Sequence, residues 1–516
     1  MRRGPLASSI SASSEMRASL PHDIFVNIIR DHTSDKTTLS SLALVSRAFC
    51  EVAQRRLFQS FKLGHDARYI FQDPREMSEV LPPFRWGKLE FLAKATKLHE
   101  FVQFLMVSIY STDQYPGHVL DQYWNQGGGR AIMDAVSRWL PPALKRMTGL
   151  VSFLYSGPSL PGPLHNAILR HKSVKSVCTV AKTKCSGPCK LAVKRAKASS
   201  IQRFEFEEIG NEVEAFGITP YPIGPRRCAF TSLMIFTHSA SLKILVIPIT
   251  LLYDAVHPFR DLPELPRLSR LEVQDSRFPA FVTAAMSTEL ARFILHVCPT
   301  LTMLGWGKNV VEEMMTRIVA AQLPNLEGFE GQVIRPAVKA ARSLRVLGIK
   351  DLLVDNPDME TGSSLLQEVS SYQPNLSVLS ISVKTRTLAV PRDICVFPHL
   401  TELWYDELRH CVVASEEMEH VASFQAGFLS IILPALPKLN SVCITIMGSV
   451  EHPPPTPKEY EGMPLSSSQS LRWLSLQLMF SMVCGRWDAR RSDEKCDWEY
   501  TTYANEWDKL RKFRCL

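Results

Sequence analysis

A short apolar pattern that recurs from residue 150 onward constrains the fold more than any other feature of this sequence. Each copy has one apolar residue, a second three positions later and a third two positions after that. Twelve copies occur: Leu150/Phe153/Tyr155, Val174/Val177/Thr179, Ile201/Phe204/Phe206, Leu242/Leu245/Ile247, Leu268/Leu271/Val273, Leu301/Leu304/Trp306, Leu326/Phe329, Leu344/Leu347/Ile349, Leu376/Leu379/Ile381, Leu400/Leu403/Tyr405, Leu439/Val442/Ile444 and Leu471/Leu474/Leu476. Their first positions span 321 residues, or about 29 per unit, at spacings from 18 to 41. Alternating apolar positions predict a short strand with one buried face in every copy.

The stretch before a copy often has the spacing of a one-sided helix. Examples are Leu290/Phe293/Ile294/Val297, Met314/Met315/Ile318/Ala321 and Leu365/Leu366/Val369. Each unit is therefore predicted to be helix, turn and short strand. One such unit cannot close a core by itself, but stacked units bury their strands against their helices. An α/β core without repeats would contain similar runs and remains an alternative.

The repeated units resemble leucine-rich repeats. The resemblance implies an irregular α/β solenoid with a curved parallel sheet. One departure is clear: the usual pattern has Asn eight positions after the first Leu, and among the nine units from Leu242 onward only one has it, at Asn309. The number and register of the repeats are therefore left open by the sequence.

Residues 18–62 have a different, all-helical pattern. Pro21 suits the first turn of a helix, and Ile24 and Ile28 lie four positions apart on one face. After a polar break, Leu39, Leu42 and Val45 recur every third position, and we expect them to share a helical face. Ser46 is a suitable cap for a third helix, whose apolar residues include Phe49, Val52 and Leu57. Three short helices in about 45 residues bury little surface alone, so we expect them to lean on the rest of the chain, on a partner, or on both.

This segment resembles an F-box, most closely those of fungal proteins. The resemblance lies in Leu20-Pro21, Asp23-Ile24, Ile28, the run from Leu42 to Phe49 (LALVSRAF) and Leu57-Phe58. Asp23 stands where the family more often has Glu. The resemblance implies an adaptor that docks the Skp-type linker, and through it a cullin, in an SCF-type ubiquitin ligase, while the repeats hold a protein substrate. The contact surface and the core beneath it would come from Leu20, Pro21, Ile24, Ile28, Leu42, Val45, Phe49 and Leu57.

The predicted organisation has five parts. Residues 1–17 are a disordered tail, 18–62 the F-box, 63–140 a helical linker leading into the first repeat unit, 141–484 the degenerate solenoid and 485–516 a charged, aromatic cap. In the last part, Tyr503, Trp507 and Leu510 share a helical face. Shielding the end of the solenoid is the expected role of the last part, and a partner-binding helix is the alternative.

The net charge of +8 is concentrated in one segment. Residues 170–197 hold nine basic residues and no acidic one, so the rest of the chain sums to −1. The alternative function is therefore a repeat scaffold that binds nucleic acid or chromatin through this segment. The segment has no aromatic residue to stack on bases, which argues for a solvated surface loop instead. Cys178, Cys185 and Cys189 lack a nearby fourth ligand for zinc.

The sequence contains none of the motifs that would indicate an enzyme. It has no GxSxG elbow, HExxH pair, P-loop or dinucleotide-binding glycine pattern. We therefore expect a binding protein that forms no bonds itself and needs no cofactor or metal. Its apolar runs are too short to span a bilayer, and no apolar segment follows Arg2 and Arg3 as in a secretory signal, so we expect a cytoplasmic or nuclear protein.

Overall fold

The computed structural model describes residues 36–45, 47–64, 86–109, 128–157, 162–181, 200–208, 235, 237–256, 264–274, 284–297, 300–306, 325–331, 344–353, 361–384, 389–408, 418–447, 470–479, 484–492 and 495–503. The chain divides into two compact units. The first comprises Met1–Tyr115, Val119–Ser156 and Pro161–Val174, and the second Pro116–His118, Gly157–Leu160 and Lys175–Leu516.

The first unit combines five helices, a 3-10 helix and three parallel strands among its described residues. In chain order they are α1 (Lys36–Val45), α2 (Arg47–Gln59), β1 (Ser60–Leu63), α3 (Trp86–Lys94), the 3-10 helix (Thr96–Phe101), β2 (Phe104–Ser108), α4 (Gly128–Arg146), β3 (Ser152–Gly157) and α5 (Gly162–Leu169). Strand β2 pairs in parallel with β1 on one side and β3 on the other. Strands β1 and β2 precede the twelve copies of the sequence pattern, so the strand ladder begins earlier than residue 150.

The described residues of the second unit form thirteen strands in sequence order within one sheet. Its elements are β4 (Ser176–Ala181), β5 (Arg203–Glu208), β6 (Ile244–Pro248), α6 (Ile249–Val256), β7 (Arg270–Gln274), α7 (Ala284–Val297), β8 (Met303–Trp306), β9 (Gly328–Gly331), β10 (Val346–Leu353), α8 (Thr361–Tyr372), β11 (Val378–Lys384), α9 (Ala389–Ile394), β12 (Glu402–Leu408), α10 (Met418–Ala435), β13 (Ser441–Met447), β14 (Trp473–Met479), β15 (Cys484–Ser492) and β16 (Lys495–Tyr503). Strands β4 to β14 pair in parallel, whereas β15 and β16 are antiparallel. The predicted α/β class with a parallel sheet is confirmed.

The second position of the sequence pattern forms one unbroken row across this sheet. Each of its members is the register partner of the next, and none is more than 2% exposed: Val177, Phe204, Leu245, Leu271, Leu304, Phe329, Leu347, Leu379, Leu403, Val442 and Leu474. Burial of this row against the helices supplies the core. The third position of the pattern also lies in this core: Tyr405 of β12 and Phe428 of α10 pack with their ring centroids 4.6 Å apart.

Two of the three helical patterns lie on described helices, and both have buried apolar faces. Leu290, Phe293, Ile294 and Val297 of α7 are at most 2% exposed. Leu365, Leu366 and Val369 of α8 are at most 9% exposed. Residues 314–321 lie outside the described part of the chain. The helix-then-strand unit is thus confirmed where the structure describes it.

Successive repeats are joined by hydrogen bonds in which one backbone carbonyl accepts from two N–H groups of the next repeat. The Ser269 carbonyl accepts hydrogen bonds from Thr302 N and Met303 N, both at 2.9 Å. A hydroxyl often adds a third bond to the same oxygen: Thr302 Oγ1 donates to Ser269 O at 3.1 Å, and Thr401 Oγ1 to Ser377 O at 3.0 Å. These bonds satisfy the polar backbone between units without the missing Asn. Since they involve only the residues next to each strand, the length of the preceding segment is free to vary.

The C-terminal segment differs from the prediction. Tyr503 lies in strand β16, so the helical face expected for Tyr503, Trp507 and Leu510 is wrong at its first residue, and the other two lie outside the described residues. The reason is that the same segment also has the alternation typical of a strand, in which the aromatic residues Trp498 and Tyr500 alternate with acidic residues. Aromatic residues favour strands, and β16 has β15 as a pairing partner. The antiparallel pair continues the sheet beyond the last repeat, at the place predicted for the cap.

The stability of the first unit is expected to fall in mild acid because of His165 on α5. Burial lowers the pKa of His165 from 6.5 to about 4. The unfolded chain therefore binds a proton that the folded chain refuses between these two pH values, and stability present above pH 6.5 is lost progressively toward pH 4. At about 1.4 kcal/mol per pKa unit, the loss amounts to roughly 2–3 kcal/mol.

Hydrogen exchange of peptides from residues 128–157 at pH 7 and pH 4.5, corrected for the intrinsic exchange rate, measures this effect. His165→Gln, which cannot titrate, is expected to show a smaller difference between the two pH values than the wild type. An equal pH dependence in both proteins would contradict the assignment to His165.

Candidate partner-binding surface

Helices α1 and α2 form a hairpin around a small apolar core. Leu39 from α1 and Val52 and Ala53 from α2 are its buried centre, at 3%, 7% and 0% exposure. Leu42, Ala43, Phe49 and Leu57 are partly buried against this centre. Three of the residues predicted to form the surface and its underlying core, Leu42, Phe49 and Leu57, therefore contribute mainly to the hairpin core.

Two apolar side chains at the end of α1 face away from this core. Leu44 is 88% exposed and Val45 is 67% exposed. With 3.6 residues per turn, Leu44 and Val45 are rotated about 140° and 120° from Leu39 around the helix axis. Isolated exposed apolar residues are ordinary on protein surfaces, but Leu44 and Val45 are adjacent at a helix end and form a small exposed apolar surface. We call this surface the apolar step.

The position of Val45 corrects one expectation. Leu39, Leu42 and Val45 were expected to share a face, but Leu39 is buried and Val45 is exposed. A spacing of three falls short of a full turn by about 60° per step, so two steps carry Val45 away from the core. Leu44 was missed because it lies off that stripe, although it belongs to the LALVSRAF run. Leu20, Pro21, Ile24 and Ile28 lie outside the described residues.

The hairpin is attached to the strands of its own unit without an intervening loop. Helix α2 ends at Gln59 and β1 begins at Ser60. The side-chain nitrogen of Gln59 donates to the Gln103 Oε1 atom at 2.7 Å, and Gln103 N donates to the Gln59 carbonyl at 2.9 Å. The Arg55 guanidinium lies 5.5 Å from the centre of the Phe101 ring, within cation–π range. These contacts hold α2 in a defined orientation relative to β1 and β2.

The basic segment is only partly described. Arg170, Lys172 and Lys175 are exposed, while residues 182–199 lie outside the described part of the chain. Cys178 is half-buried in β4, and Cys185 and Cys189 are not among the described residues.

Across the described residues, no group of three or more His, Cys, Asp or Glu side chains is placed to hold a metal ion. None of the helices that the structure describes has the length and apolar content needed to cross a bilayer. Comparison with known proteins finds no family model that matches the chain and no curated protein that matches it.

Proposed function

We propose that the protein is the substrate-recognition adaptor of an SCF-type cullin–RING ubiquitin ligase. Its N-terminal helices would bind the Skp-type linker, and its repeats would hold a protein substrate. The observation that carries the proposal is the exposure of Leu44 and Val45 at the end of α1, outside the cluster of apolar residues that α1 and α2 pack between them. A hairpin that served only to cap the sheet would have no need of an apolar step that faces water.

The energetics of the exposed pair fit a contributing share of a linker interface. Burying a Leu and a Val side chain yields about 1.5–3 kcal/mol each before association costs. A micromolar complex needs about 8 kcal/mol net, so these two residues alone are insufficient. The remainder would come from Leu20, Pro21, Ile24 and Ile28, which the F-box resemblance assigns to the same interface.

The mechanism that follows is proximity. Helix α2 contacts the segment that leads into β2, through Gln59 on Gln103 and Arg55 on Phe101, so the hairpin holds a set orientation relative to the first strands. A substrate held by the same chain is then present at a raised effective concentration near the ubiquitin-charged partner of the ligase. In this proposal no side chain of the adaptor takes part in bond formation.

The test is co-purification of the full chain with the Skp-type linker. We expect a one-to-one complex on gel filtration and recovery of the cullin when cell extract is added. Leu20→Ala/Pro21→Ala and Leu42→Ala/Val45→Ala variants should lose the linker. Equal retention by the wild type and both variants, or no retention by any of them, would refute the proposal.

A further inference from the structure

The sheet face opposite the buried row carries a tryptophan pair at its C-terminal part. Trp404 of β12 and Trp473 of β14 lie on strands that are separated by β13, and their ring centroids are 5.8 Å apart at an interplanar angle of 49°. Neighbouring strands are about 4.8 Å apart, so the two rings lean toward each other across β13. The residues of β13 between them are Ser441 and Cys443, which are small enough to allow this. We call Trp404, Trp473 and their immediate neighbours on β12–β14 the tryptophan face.

Both rings are partly exposed although two small residues beside them, Cys443 of β13 and Ser475 of β14, are buried. Trp404 and Trp473 are half-buried, whereas Cys443 is 1% exposed and Ser475 is fully buried. Tryptophan rings that served only to fill the core would be expected on the other side of the sheet, with Leu403 and Tyr405. Two partly exposed indole rings side by side on one sheet offer a contact for a flat or cationic group.

Carboxylates flank the tryptophan pair along β12. Glu402 precedes Trp404 by two positions, and its Oε1 atom accepts a hydrogen bond from Trp404 Nε1 at 2.5 Å. Asp406, two positions after Trp404 on the same face, is 5% exposed. Within the described residues Glu402 forms no ion pair, so its charge is available to a ligand.

Over β4–β14 as a whole, the described side chains of this face include more acidic than basic residues. Among its described side chains on β4–β14, five are acidic and two are basic: Glu205, Glu272, Glu330, Glu402 and Asp406, against Arg203 and Arg270. Arg203 pairs with Glu205 at 3.0 Å, and Arg270 reaches both Glu272 at 3.3 Å and Glu330 at 3.6 Å. The described side chains of this face therefore sum to a net charge of −3, in a chain whose overall charge is +8. Such a face attracts cations and repels phosphate.

We propose that the tryptophan face binds an extended protein segment that carries arginine or lysine, with one cationic side chain seated on Trp404 and Trp473 beside Glu402. Cation–π attraction to the two rings and ion pairing with the carboxylate act on the same charged group. The inference rests on the proposed function only in that the bound segment would belong to the substrate. It requires nothing of the N-terminal helices.

The test is fluorescence anisotropy with the full chain and three labelled octapeptides of alternating Gly-Arg, Gly-Lys and Gly-Glu. The arginine and lysine peptides are expected to bind at 50 mM salt and the glutamate peptide not to bind. Trp404→Leu and Trp473→Leu should each weaken arginine-peptide binding at least tenfold, and Glu402→Gln about threefold or more. Glu264→Gln, which removes an exposed carboxylate in the turn before β7, should have no effect.

The inference is overturned if the arginine peptide does not bind at 1 mM, if the glutamate peptide or a single-stranded oligonucleotide competes equally for the face, or if the correctly folded tryptophan variants bind like the wild type. Circular dichroism establishes that the variants are folded. The assay contains no linker protein, so it can fail while the adaptor proposal holds. Loss of linker binding would likewise leave the peptide result unchanged.

Discussion

Leu44→Gln/Val45→Gln is expected to bind the Skp-type linker at least 100-fold more weakly than the wild type, while its stability changes by less than about 0.5 kcal/mol. Leu44 and Val45 are 88% and 67% exposed, so their removal costs the folded chain little packing. In the complex the same two side chains would be buried, and losing about 3–6 kcal/mol of apolar burial corresponds to a factor of roughly 100 or more. Glutamine keeps the helix propensity of the end of α1 high.

The double variant isolates binding better than a change at Leu42 does. Leu42 packs against the core of the hairpin, so Leu42→Ala weakens folding and binding together. Isothermal calorimetry with purified linker gives the affinities, and urea unfolding gives the stabilities. Leu295→Gln is the matched control, because Leu295 is an exposed apolar residue (37%) on a helix of the second unit, α7. A comparable loss in the control would mean that general surface apolarity, and not the step at the end of α1, drives the association.

The strand ladder could be predicted from the sequence because its determinants are local. An inward residue such as Leu347 or Leu403 must be apolar whatever the length of the segment before it, so the pattern survives irregular spacing. Its one incomplete copy, Leu326/Phe329, ends at Gly331. A Cβ atom there would lie 2.5 Å from the Trp306 carbonyl oxygen on the preceding unit. A side chain is excluded at position 331 because two strands approach closely there, and no local sequence pattern reveals such an approach.

Features that depend on partners in space were harder to predict. The segment containing Trp498 and Tyr503 could be read as helix or strand, and pairing with β15 decides the outcome. The exposure of Leu44 depends on which side of α1 faces α2, and the regular spacing from Leu39 to Val45 does not specify that side. The tryptophan face was not predicted either, since Trp404 and Trp473 are 69 residues apart in sequence and meet only through the register of β12, β13 and β14.

Leu379→Ala is expected to lower the free energy of unfolding by about 2–5 kcal/mol, whereas Val378→Ala changes it by less than about 1 kcal/mol. The two residues are neighbours on β11 with opposite orientations. Leu379 is fully buried between its register partners Leu347 and Leu403, and Val378 is half-buried on the outer face. The isopropyl group lost from the row leaves a cavity that the stacked sheet closes only in part, while the outer face relaxes into solvent. Urea unfolding followed by circular dichroism measures both values.

How far the effect of Leu379→Ala spreads along the sheet distinguishes a stack of repeats from a single globular core. In a stack each unit contacts mainly its neighbours, so hydrogen exchange in Leu379→Ala should accelerate most in β10, β11 and β12 and least in β5. Equal acceleration from β5 to β14 would mean that the whole second compact unit opens as one body. Local acceleration would instead mean that the row of buried residues is stabilised unit by unit. In that case insertions between strands would be tolerated, as the spacings of 18 to 41 residues suggest, provided that every strand keeps its inward apolar pair.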